Sequence, residues 1–161
     1  MKIADLKPII FPTKIQQVDS HLYRGNAIFS PIKAYRIKKR GVTQVIDLRS
    51  EDNIFVNGFK FFEKLYCKWL NIDYVQMGFS LVNNEIPNID FFEKLNKQID
   101  NAECTYLHCH YGRHRTGFVV AMYQKAKGIA KDIIFNQLKS FGWNTINQKN
   151  NLNIFYKNFL N

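Results

Sequence analysis

The chain has 161 residues and a formal net charge of +10 at pH 7, and this length suits one domain with a single packed core. No apolar run approaches the roughly 20 residues that a transmembrane helix needs. The first residues mix apolar side chains with charges and prolines, unlike a signal peptide. We therefore expect a cytoplasmic protein without a transmembrane segment, although secretion without a signal would leave no trace. The positive charge suits nucleic acid, acidic lipid surfaces and polyphosphorylated small molecules alike.

The three cysteines cannot form a closed disulfide framework, which fits a reducing compartment. Cys104 and Cys109 are five residues apart, roughly 16 Å along an extended strand, and this separation is too large for a bridge. Cys104 is expected to be a small core residue. Cys67 is expected at a buried helix position, with a regulatory role towards Cys109 as the alternative.

The first half of the chain alternates predicted strands and helices after an extended lead-in over residues 1–14. Serine followed by proline at Ser30 and Pro31 is typical of a helix start, and Gly41 of a helix end. Basic residues gather on this helix, and we expect them on a solvated face. The other predicted segments are strands over 15–18, 21–25, 42–48 and 72–77, a helix over 59–69, and loops over 52–57 and 78–87.

The second half continues this alternation. Asn88 is the predicted cap of a helix that ends near Asp100. The remaining predicted segments are a strand over 104–107, helices from residue 118, over 131–141 and over 151–160, and an irregular connection over 142–149. Strands that alternate with helices predict one three-layer α/β domain over residues 1–161, with a mostly parallel sheet of four or five strands and helices on both faces.

The stretch HCHYGRHRTG, residues 108–117, contains the candidate chemistry. It joins a predicted strand to a predicted helix through a tight loop. Such a loop directs backbone N–H groups and the positive end of the helix dipole at one spot, where a tetrahedral oxyanion can bind. Cys109 would be held there as a thiolate that attacks phosphorus. The planar fork of Arg115 would grip two phosphate oxygens, and Thr116 could donate its hydroxyl to the thiolate.

The remaining residues of the stretch have supporting roles in this interpretation. Gly112 and Gly117 allow backbone close to a ligand or in otherwise disfavoured dihedral angles. His108 is expected to tune the thiolate through hydrogen bonds instead of donating protons. The other two histidines titrate near neutral pH. Of these, His114 is expected to shape the loop or contact the substrate, and His110 could simply be exposed.

The stretch resembles the HC-x5-R-[ST] signature of the cysteine-dependent protein tyrosine and dual-specificity phosphatases. Its GRHRTG portion is similar to the atypical dual-specificity phosphatases of plants and fungi and their bacterial relatives. The phrases VDSHLYRG and DLRSE also resemble this family, so the resemblance covers roughly residues 15 to 140. It implies a dual-specificity phosphatase-like fold and hydrolysis through a phosphocysteine intermediate, with no metal or organic cofactor.

The resemblance also implies roles for single residues. Cys109 is the expected nucleophile, Arg115 binds and stabilises the transferring phosphoryl group, and Thr116 assists the thiolate. Arg49, at the end of a predicted strand, could reach the loop, but a structural ion pair is its favoured role. The expected substrate-binding residues line the loop with backbone N–H groups or side chains, and they are His110, Tyr111, Gly112, Arg113, His114 and Arg115.

One part of the family pattern is missing from this chain. The family normally supplies an aspartate as general acid from a mobile loop upstream of the cysteine. Here that segment, residues 78–84, reads GFSLVNN and contains no carboxylate. Glu85 is a candidate acid or a solvated loop residue, and Asp90 is a weaker candidate that more simply complements a helix dipole. A phosphoanhydride needs this proton less than a phenolate or an alkoxide leaving group does.

The sequence thus predicts a cysteine phosphatase that acts on phosphate esters or phosphoanhydrides. Its substrate would be either a phosphotyrosine protein or a polyphosphorylated small molecule such as an inositol phosphate or pyrophosphate. Two alternatives stay open. One is an enzyme like the RNA 5′-triphosphatases, with nucleic acid as a partner that is not favoured. The other is a phosphate-binding module that has lost catalysis together with its acid.

Overall fold

The computed structural model describes residues 14–50, 54–79 and 87–142, with the backbone alone for residues 54–57. Among these residues, no helix is long and apolar enough to cross a membrane. The predicted helix over 151–160, the connection over 143–149 and nearly all of the lead-in lie outside the described residues. The strands are β1 (Ile15–Gln17), β2 (Leu22–Asn26), β3 (Gln44–Asp47), β4 (Asp73–Gln76) and β5 (Thr105–Cys109), and the helices are α1 (Pro31–Lys38), α2 (Ile54–Trp69), α3 (Ile89–Asp100), α4 (His114–Ala126) and α5 (Lys131–Ser140).

The strands form one five-stranded sheet in the order β1-β2-β5-β3-β4. Only β1 pairs antiparallel, with β2, and the other neighbours are parallel. The predicted mostly parallel α/β sheet is therefore confirmed. At the carboxyl end of β5, Cys109 pairs with Asn26 of β2, and His108 pairs with Asp47 of β3. The candidate nucleophile thus lies at the central strand, where the parallel strands end together.

Helices cover both faces of the sheet, as predicted. Successive side chains of a strand point to opposite faces, so Tyr106 and Leu107 of β5 belong to different apolar clusters. Tyr106 packs with residues of α1 and α2, whereas Leu107 packs with residues of α3, α4 and α5. The chain therefore has three layers, and β5 is buried on both sides.

The predicted helix caps are confirmed. The Ser30 side chain accepts a hydrogen bond from the Lys33 N–H at the start of α1, and the Asn88 side chain accepts one from the Phe91 N–H at the start of α3. Gly41 has a φ of 82°, the left-handed conformation that ends a helix without a Cβ penalty. The basic residues of α1 do not all share a solvated face, because Lys33 is buried.

Helix α2 begins at Ile54, so the loop predicted over residues 52–57 is wrong from residue 54 onward. Asn57 and Gly58 are poor helix formers, yet both lie within α2. Helix α2 as a whole packs against α1 and β4. Propensity is a weak predictor where tertiary contacts decide.

The cysteines agree with the prediction. All three are free and buried, Cys67 in α2 and Cys104 just before β5. Burial and the nearby Glu63 carboxylate raise the pKa of Cys67 to about 12. Cys67 is therefore a neutral core thiol at physiological pH.

Candidate active site

The predicted strand, loop and helix around Cys109 are present, but β5 extends two residues beyond the predicted end at residue 107, and α4 begins four residues before residue 118. Cys109 is the last residue of β5, residues 110–113 form the loop, and α4 begins at His114. Cys109 is 5% exposed and packs in the apolar cluster beneath α4. The loop lies at the carboxyl edge of the parallel strands, where open α/β sheets bind their ligands.

The N-terminus of α4 has no cap of its own. Arg113 occupies the cap position without a side-chain hydrogen bond, and the first turn contains no acidic residue. In α1 and α3, by contrast, the side chains of Ser30 and Asn88 cap the N-terminus of the helix. The first N–H groups of a helix have no partner within the helix, and the dipole there favours negative charge. This end of α4 therefore suits an anion.

The loop backbone packs tightly on β2. Gly112 has a φ of 70°, and a Cβ there would lie 2.3 Å from the Gly25 carbonyl oxygen. The Ala27 N–H donates to the His110 carbonyl oxygen at 3.1 Å. Only glycine fits position 112 for both steric reasons. Gly117 differs from the prediction, because it lies within α4 and has no positive φ.

Arg24 of β2 also supports the loop. Its Nη2 donates to the Gly112 carbonyl oxygen at 2.9 Å, and its guanidinium lies 4.1 Å from the centre of the Phe141 ring. Arg24 is 1% exposed. A buried charged hydrogen bond of this kind fixes the orientation of a carbonyl group more firmly than a neutral one. It therefore helps to hold the loop in one conformation.

Beside the loop, Arg49 lies in a buried ion-pair network. Its Nε and Nη2 each donate to the Asp47 carboxylate at 2.8 Å, and Nη2 also pairs with Glu63. The Tyr74 hydroxyl donates to Asp47 at 2.6 Å, and Glu63 accepts from the Ile28 N–H. Arg49 therefore forms a structural ion pair, the role favoured for it from the sequence, and its partners are Asp47 and Glu63.

The charges of this network have shifted pKa values. Burial disfavours the ionised Asp47 carboxyl, but the charges of His108 and Arg49 and the hydrogen bonds from Arg49 and Tyr74 outweigh it and lower its pKa to about 2. Burial raises the pKa of Glu63 to about 7, although Arg49 opposes that shift. Asp47, Glu63 and His108 each offer a ligand atom within 4.8 Å of one another. Because the Arg49 guanidinium contacts both carboxylates, this cluster is an ion-pair network.

His108 connects that network to the nucleophile. Its Nδ1 is 3.2 Å from the Cys109 carbonyl oxygen and 3.9 Å from Asp47 Oδ1. Burial lowers the pKa of His108 to about 4, and Asp47 only partly opposes this effect. His108 is therefore neutral at pH 7. A neutral ring against the Cys109 backbone is consistent with the predicted positioning role, which stays a prediction.

The rim of the loop is aromatic and basic. The His110 ring packs edge-on against Phe29 and Tyr111, with centroid distances of 5.3 and 4.5 Å. Burial lowers the pKa of His110, and the charges of Arg49 and Arg115 lower it further. Burial and the neighbouring arginines also lower the pKa of His114. Both rings therefore favour the neutral form at pH 7 and can accept or donate a hydrogen bond.

Thr116 lies in the first turn of α4 and is fully buried. Among the residues that the structure describes, its Oγ1 has no hydrogen-bond partner. A buried hydroxyl without a partner is costly. The predicted bond to a thiolate at Cys109 would satisfy it.

A model of the tyrosine phosphatase family matches residues 15–138. The chain belongs to the tyrosine phosphatase family. It is accordingly a phosphoric monoester hydrolase. A comparison with curated protein sequences found no match.

Solved structures share the fold. The core catalytic domain of the PP-IP phosphatase SIW14 from S. cerevisiae, in complex with citrate, superposes with a TM-score of 0.68 at 19% identity, covering 89% of this chain and 83% of that one. TpbA from P. aeruginosa superposes with a TM-score of 0.66 at 16% identity, covering 91% of each chain. A cysteine-to-serine form of TpbA in complex with phosphotyrosine gives 0.65 at 15%, covering 91% and 90%. At these identities the likeness shows the fold alone.

The two candidate acids of this tyrosine phosphatase family member differ in what the structure says of them. Asp90 is exposed in the first turn of α3, as expected for a residue that complements the helix dipole. Glu85 lies outside the described residues. Phe79 precedes the segment that contains Glu85, and Phe91 follows it. The Phe79 ring packs against the rings of Phe91 and of Phe118 of α4, with centroid distances of 5.3 and 6.2 Å.

The structure of this phosphatase adds residues that the sequence analysis did not assign to the site. They are Arg24, Asp47, Glu63 and Tyr74, which hold the loop or the network beside it. Arg24 and Asp47 both lie in phrases that resemble the family, and that was the available signal. Glu63 and Tyr74 are brought in by tertiary contacts, and local sequence offers no sign of this.

Proposed function

We propose that the chain is a cysteine-dependent phosphatase in which Cys109 attacks the phosphorus of a bound phosphate. The supporting observation is the placement of Cys109 at the end of β5, directly before the uncapped N-terminus of α4. Donors and dipole at that end would stabilise both the thiolate and a bound phosphoryl group. Arg115, in the first turn of α4, would contact two of the phosphoryl oxygens.

The reaction has two steps. The Cys109 sulfur forms a bond to phosphorus while the bond from phosphorus to the leaving oxygen breaks, and the leaving group departs with that electron pair. Water then attacks the phosphocysteine, the sulfur–phosphorus bond breaks, and phosphate and the thiolate are released. Thr116, whose buried Oγ1 faces no described partner, would donate its hydroxyl to the departing sulfur.

A polyphosphorylated small molecule that contains a phosphoanhydride, such as an inositol pyrophosphate, is the substrate we favour. Arg113, His114 and Arg115 follow one another at the start of α4, and the chain has a net charge of +10. The segment upstream of the cysteine, residues 78–84, contains no carboxylate. A phosphoanhydride needs the least help from an acid, because phosphate is a fair leaving group near neutral pH. The shared fold with the PP-IP phosphatase SIW14 supports this choice.

Phosphotyrosine is the second candidate substrate. The rim formed by Phe29, His110 and Tyr111 offers aromatic edges to a phenyl ring, and Tyr111 is 53% exposed. TpbA, which shares the fold, has been solved with phosphotyrosine as a cysteine-to-serine form. This substrate would require a general acid, and Glu85 is the candidate.

One panel of substrates tests these proposals. The kcat/KM of the full chain is measured without added metal on an inositol pyrophosphate, an inositol polyphosphate, a phosphotyrosine peptide and RNA with a 5′-triphosphate. We expect the pyrophosphate to be hydrolysed best. Highest activity on the peptide would favour the second candidate. Highest activity on RNA would favour the RNA triphosphatase alternative, and binding without turnover of all four would indicate a phosphate-binding module.

A further inference from the structure

Part of helix α2 has its charges inward and its aromatic rings outward. Lys60 and Glu63 are 3% and 0% exposed. Lys60 Nζ donates to the carbonyl oxygens of Arg49 and Ser50 at 3.2 and 3.1 Å, and Glu63 binds the Ile28 N–H. A surface helix normally turns its apolar stripe to the core. Here the polar contacts to the loop after β3 and to Ile28 occupy the inner side, and the aromatic side chains are left outside.

Helix α1 also has large apolar residues on its exposed side. Both helices cover the same face of the sheet and pack against each other. Six apolar residues of the two helices are between 51% and 67% exposed. These residues, which we call the aromatic face, are Ile32, Tyr35, Phe59, Phe61, Phe62 and Trp69. Contiguous apolar surface of this kind on a folded domain marks a binding surface.

Positive charge surrounds the aromatic face. The exposed cations of these two helices and of the end of α1 are Arg36, Lys39, Arg40, Lys64 and Lys68. The two helices contain one carboxylate, Glu63, and it is buried. Asp73, next to Lys64 and Lys68 at the start of β4, offsets part of the charge. The face therefore combines exposed aromatic rings with a net positive rim.

We propose that the aromatic face docks on an anionic lipid bilayer. Helices that lie in the plane of a bilayer combine Trp, Phe and Leu with Lys and Arg, so that rings enter the headgroup region while the cations meet anionic lipids. Phe59 to Trp69 extend over about 15 Å of helix, which gives a long contact parallel to such a surface. The lysine stems can lie along the apolar surface with their ammonium groups towards the headgroups.

Two other occupants fit the aromatic face less well. A second copy of the chain would bring the same cations against each other across an interface, and like charges there are unfavourable. Single-stranded RNA would match the charge, but bases stack on free aromatic faces. Here Phe62 stacks on Tyr66 at 6.4 Å, Phe61 packs edge-on against Phe62 at 5.7 Å, and Ile32 offers no ring. Rings that pack on one another and an aliphatic neighbour suit acyl chains better than bases.

Docking would bring the active site to the edge of the bilayer. Phe59 packs edge-on against Phe29 at 5.6 Å, and Phe29 packs against His110 of the loop at 5.3 Å. The end of α2 next to the loop therefore belongs to the docking surface. Docking itself does not depend on the proposed chemistry, so Cys109→Ser should bind vesicles as the wild type does.

Vesicle co-sedimentation of the full chain tests the proposal. Phosphatidylcholine vesicles with about one-third phosphatidylserine should bind the chain at about 0.1 M salt, and vesicles of phosphatidylcholine alone should not. Phe61→Ser with Phe62→Ser should weaken binding about tenfold or more, and Lys64→Glu with Lys68→Glu should do the same. In a Trp143→Phe background, the emission of Trp69 should shift to the blue when anionic vesicles are added.

The matched control is Ile133→Ser, which removes a residue 50% exposed on α5, on the opposite face of the sheet. It should bind vesicles within about twofold of the wild type. Circular dichroism should be unchanged in the variants of Phe61, Phe62, Lys64, Lys68 and Ile133, because these side chains are exposed. The proposal fails if the wild type does not bind anionic vesicles or if the Phe61 and Phe62 variant binds as well as the wild type. Self-association or RNA binding that needs these two residues, without vesicle binding, would also overturn it.

Discussion

Cys109 differs from the other two cysteines in its surroundings. Burial raises the pKa of both Cys67 and Cys104, and nearby acids add to the effect, so these two are neutral thiols near pH 7. Cys109 precedes the uncapped N-terminus of α4, which attracts an anionic reagent such as iodoacetate. We expect iodoacetate to label Cys109 first at pH 7, and phosphate or vanadate to protect it. Peptide mass spectrometry after partial alkylation checks this, and preferential labelling of Cys67 or Cys104 would contradict it.

Substitution of the same cysteine separates binding from catalysis. Cys109→Ser should reduce turnover of an aryl phosphate below detection, because a serine hydroxyl is not ionised at neutral pH. It should keep the affinity for vanadate or phosphate within about tenfold, since the amides and Arg115 remain. Isothermal titration and a turnover assay measure the two effects. Cys104→Ser is the control and should stay active, and substantial activity of Cys109→Ser would refute the assignment of the nucleophile.

Arg115 and Arg113 allow a matched comparison of arginine-to-lysine changes. Both lie at the start of α4, but Arg113 is exposed and its side chain lies near Gly142. Arg115→Lys should lower kcat/KM about a thousandfold or more, because an ammonium group cannot make the bidentate contact. Arg113→Lys should cost about tenfold or less, since it keeps the charge. Equal losses in the two variants would remove the special role of Arg115.

Among the structural elements, the loop depends on one glycine for two separate reasons. In Gly112→Ala both the positive φ and the contact with Gly25 oppose the new Cβ. Gly128→Ala has the same kind of φ, 76°, but no atom within 4 Å of the added Cβ. Both variants should lose about 1 kcal/mol of stability from backbone strain. Only Gly112→Ala should also lose most of its kcat, which steady-state kinetics and urea unfolding together would detect.

The network around Arg49 gives the stability a characteristic pH dependence. Glu63 has a folded-state pKa of about 7, raised from 4.5, so the free energy of unfolding falls as the pH rises through this range. His108 has a folded-state pKa of about 4, lowered from 6.5, so the same free energy rises between these values. The two contributions oppose each other between pH 4.5 and 6.5. His110 and His114, whose pKa values are also lowered, add to the rise, so we expect the unfolding free energy of the wild type to increase modestly with pH there.

Removing either Glu63 or His108 should reveal what the other contributes to the pH dependence of the free energy of unfolding. Relative to the wild type, Glu63→Gln should make the free energy of unfolding rise more steeply with pH between 4.5 and 6.5, by at most about 1.4 kcal/mol per pH unit. His108→Asn should change the slope in the opposite direction. Lys33, whose pKa burial lowers to about 7, contributes only above this window, and Asp47, at about 2, only below it. Urea unfolding across the window measures the slopes, and unchanged slopes in both variants would contradict the assigned shifts.

Local signals predicted the elements well because they act within a few residues. Ser30 and Asn88 each cap a helix three residues before their bonded N–H group, and the residues after β5 suit a loop that leads into a helix. The contacts that hold this loop join residues far apart, such as Arg24 and Gly112, 88 positions apart. The direction in which α2 faces likewise depends on tertiary partners. Helical spacing predicted the existence of α2, but it does not reveal that Glu63 is buried and Trp69 exposed.

For the molecule as a whole, the open question is how the leaving group receives its proton. Residues 78–84 contain no carboxylate, and Asp90 is exposed on α3. His110 and His114 favour their neutral forms, so neither is a strong proton donor at pH 7. If no acid assists, the departing oxygen carries its full negative charge in the transition state. Rates should then depend steeply on the pKa of the leaving group.

A series of aryl phosphates with leaving groups of different pKa measures this dependence. Without an acid, log kcat/KM should fall steeply with leaving-group pKa, phosphoanhydrides should react far faster than alkyl phosphates, and Glu85→Gln should leave the slope unchanged. Asp90→Asn is the matched control, because Asp90 is exposed in the first turn of α3. The opposite pattern is a loss of about a hundredfold or more in Glu85→Gln on phosphotyrosine, with little loss on activated esters. That pattern would make Glu85 the general acid, and a phosphotyrosine substrate would then be favoured over the phosphoanhydride.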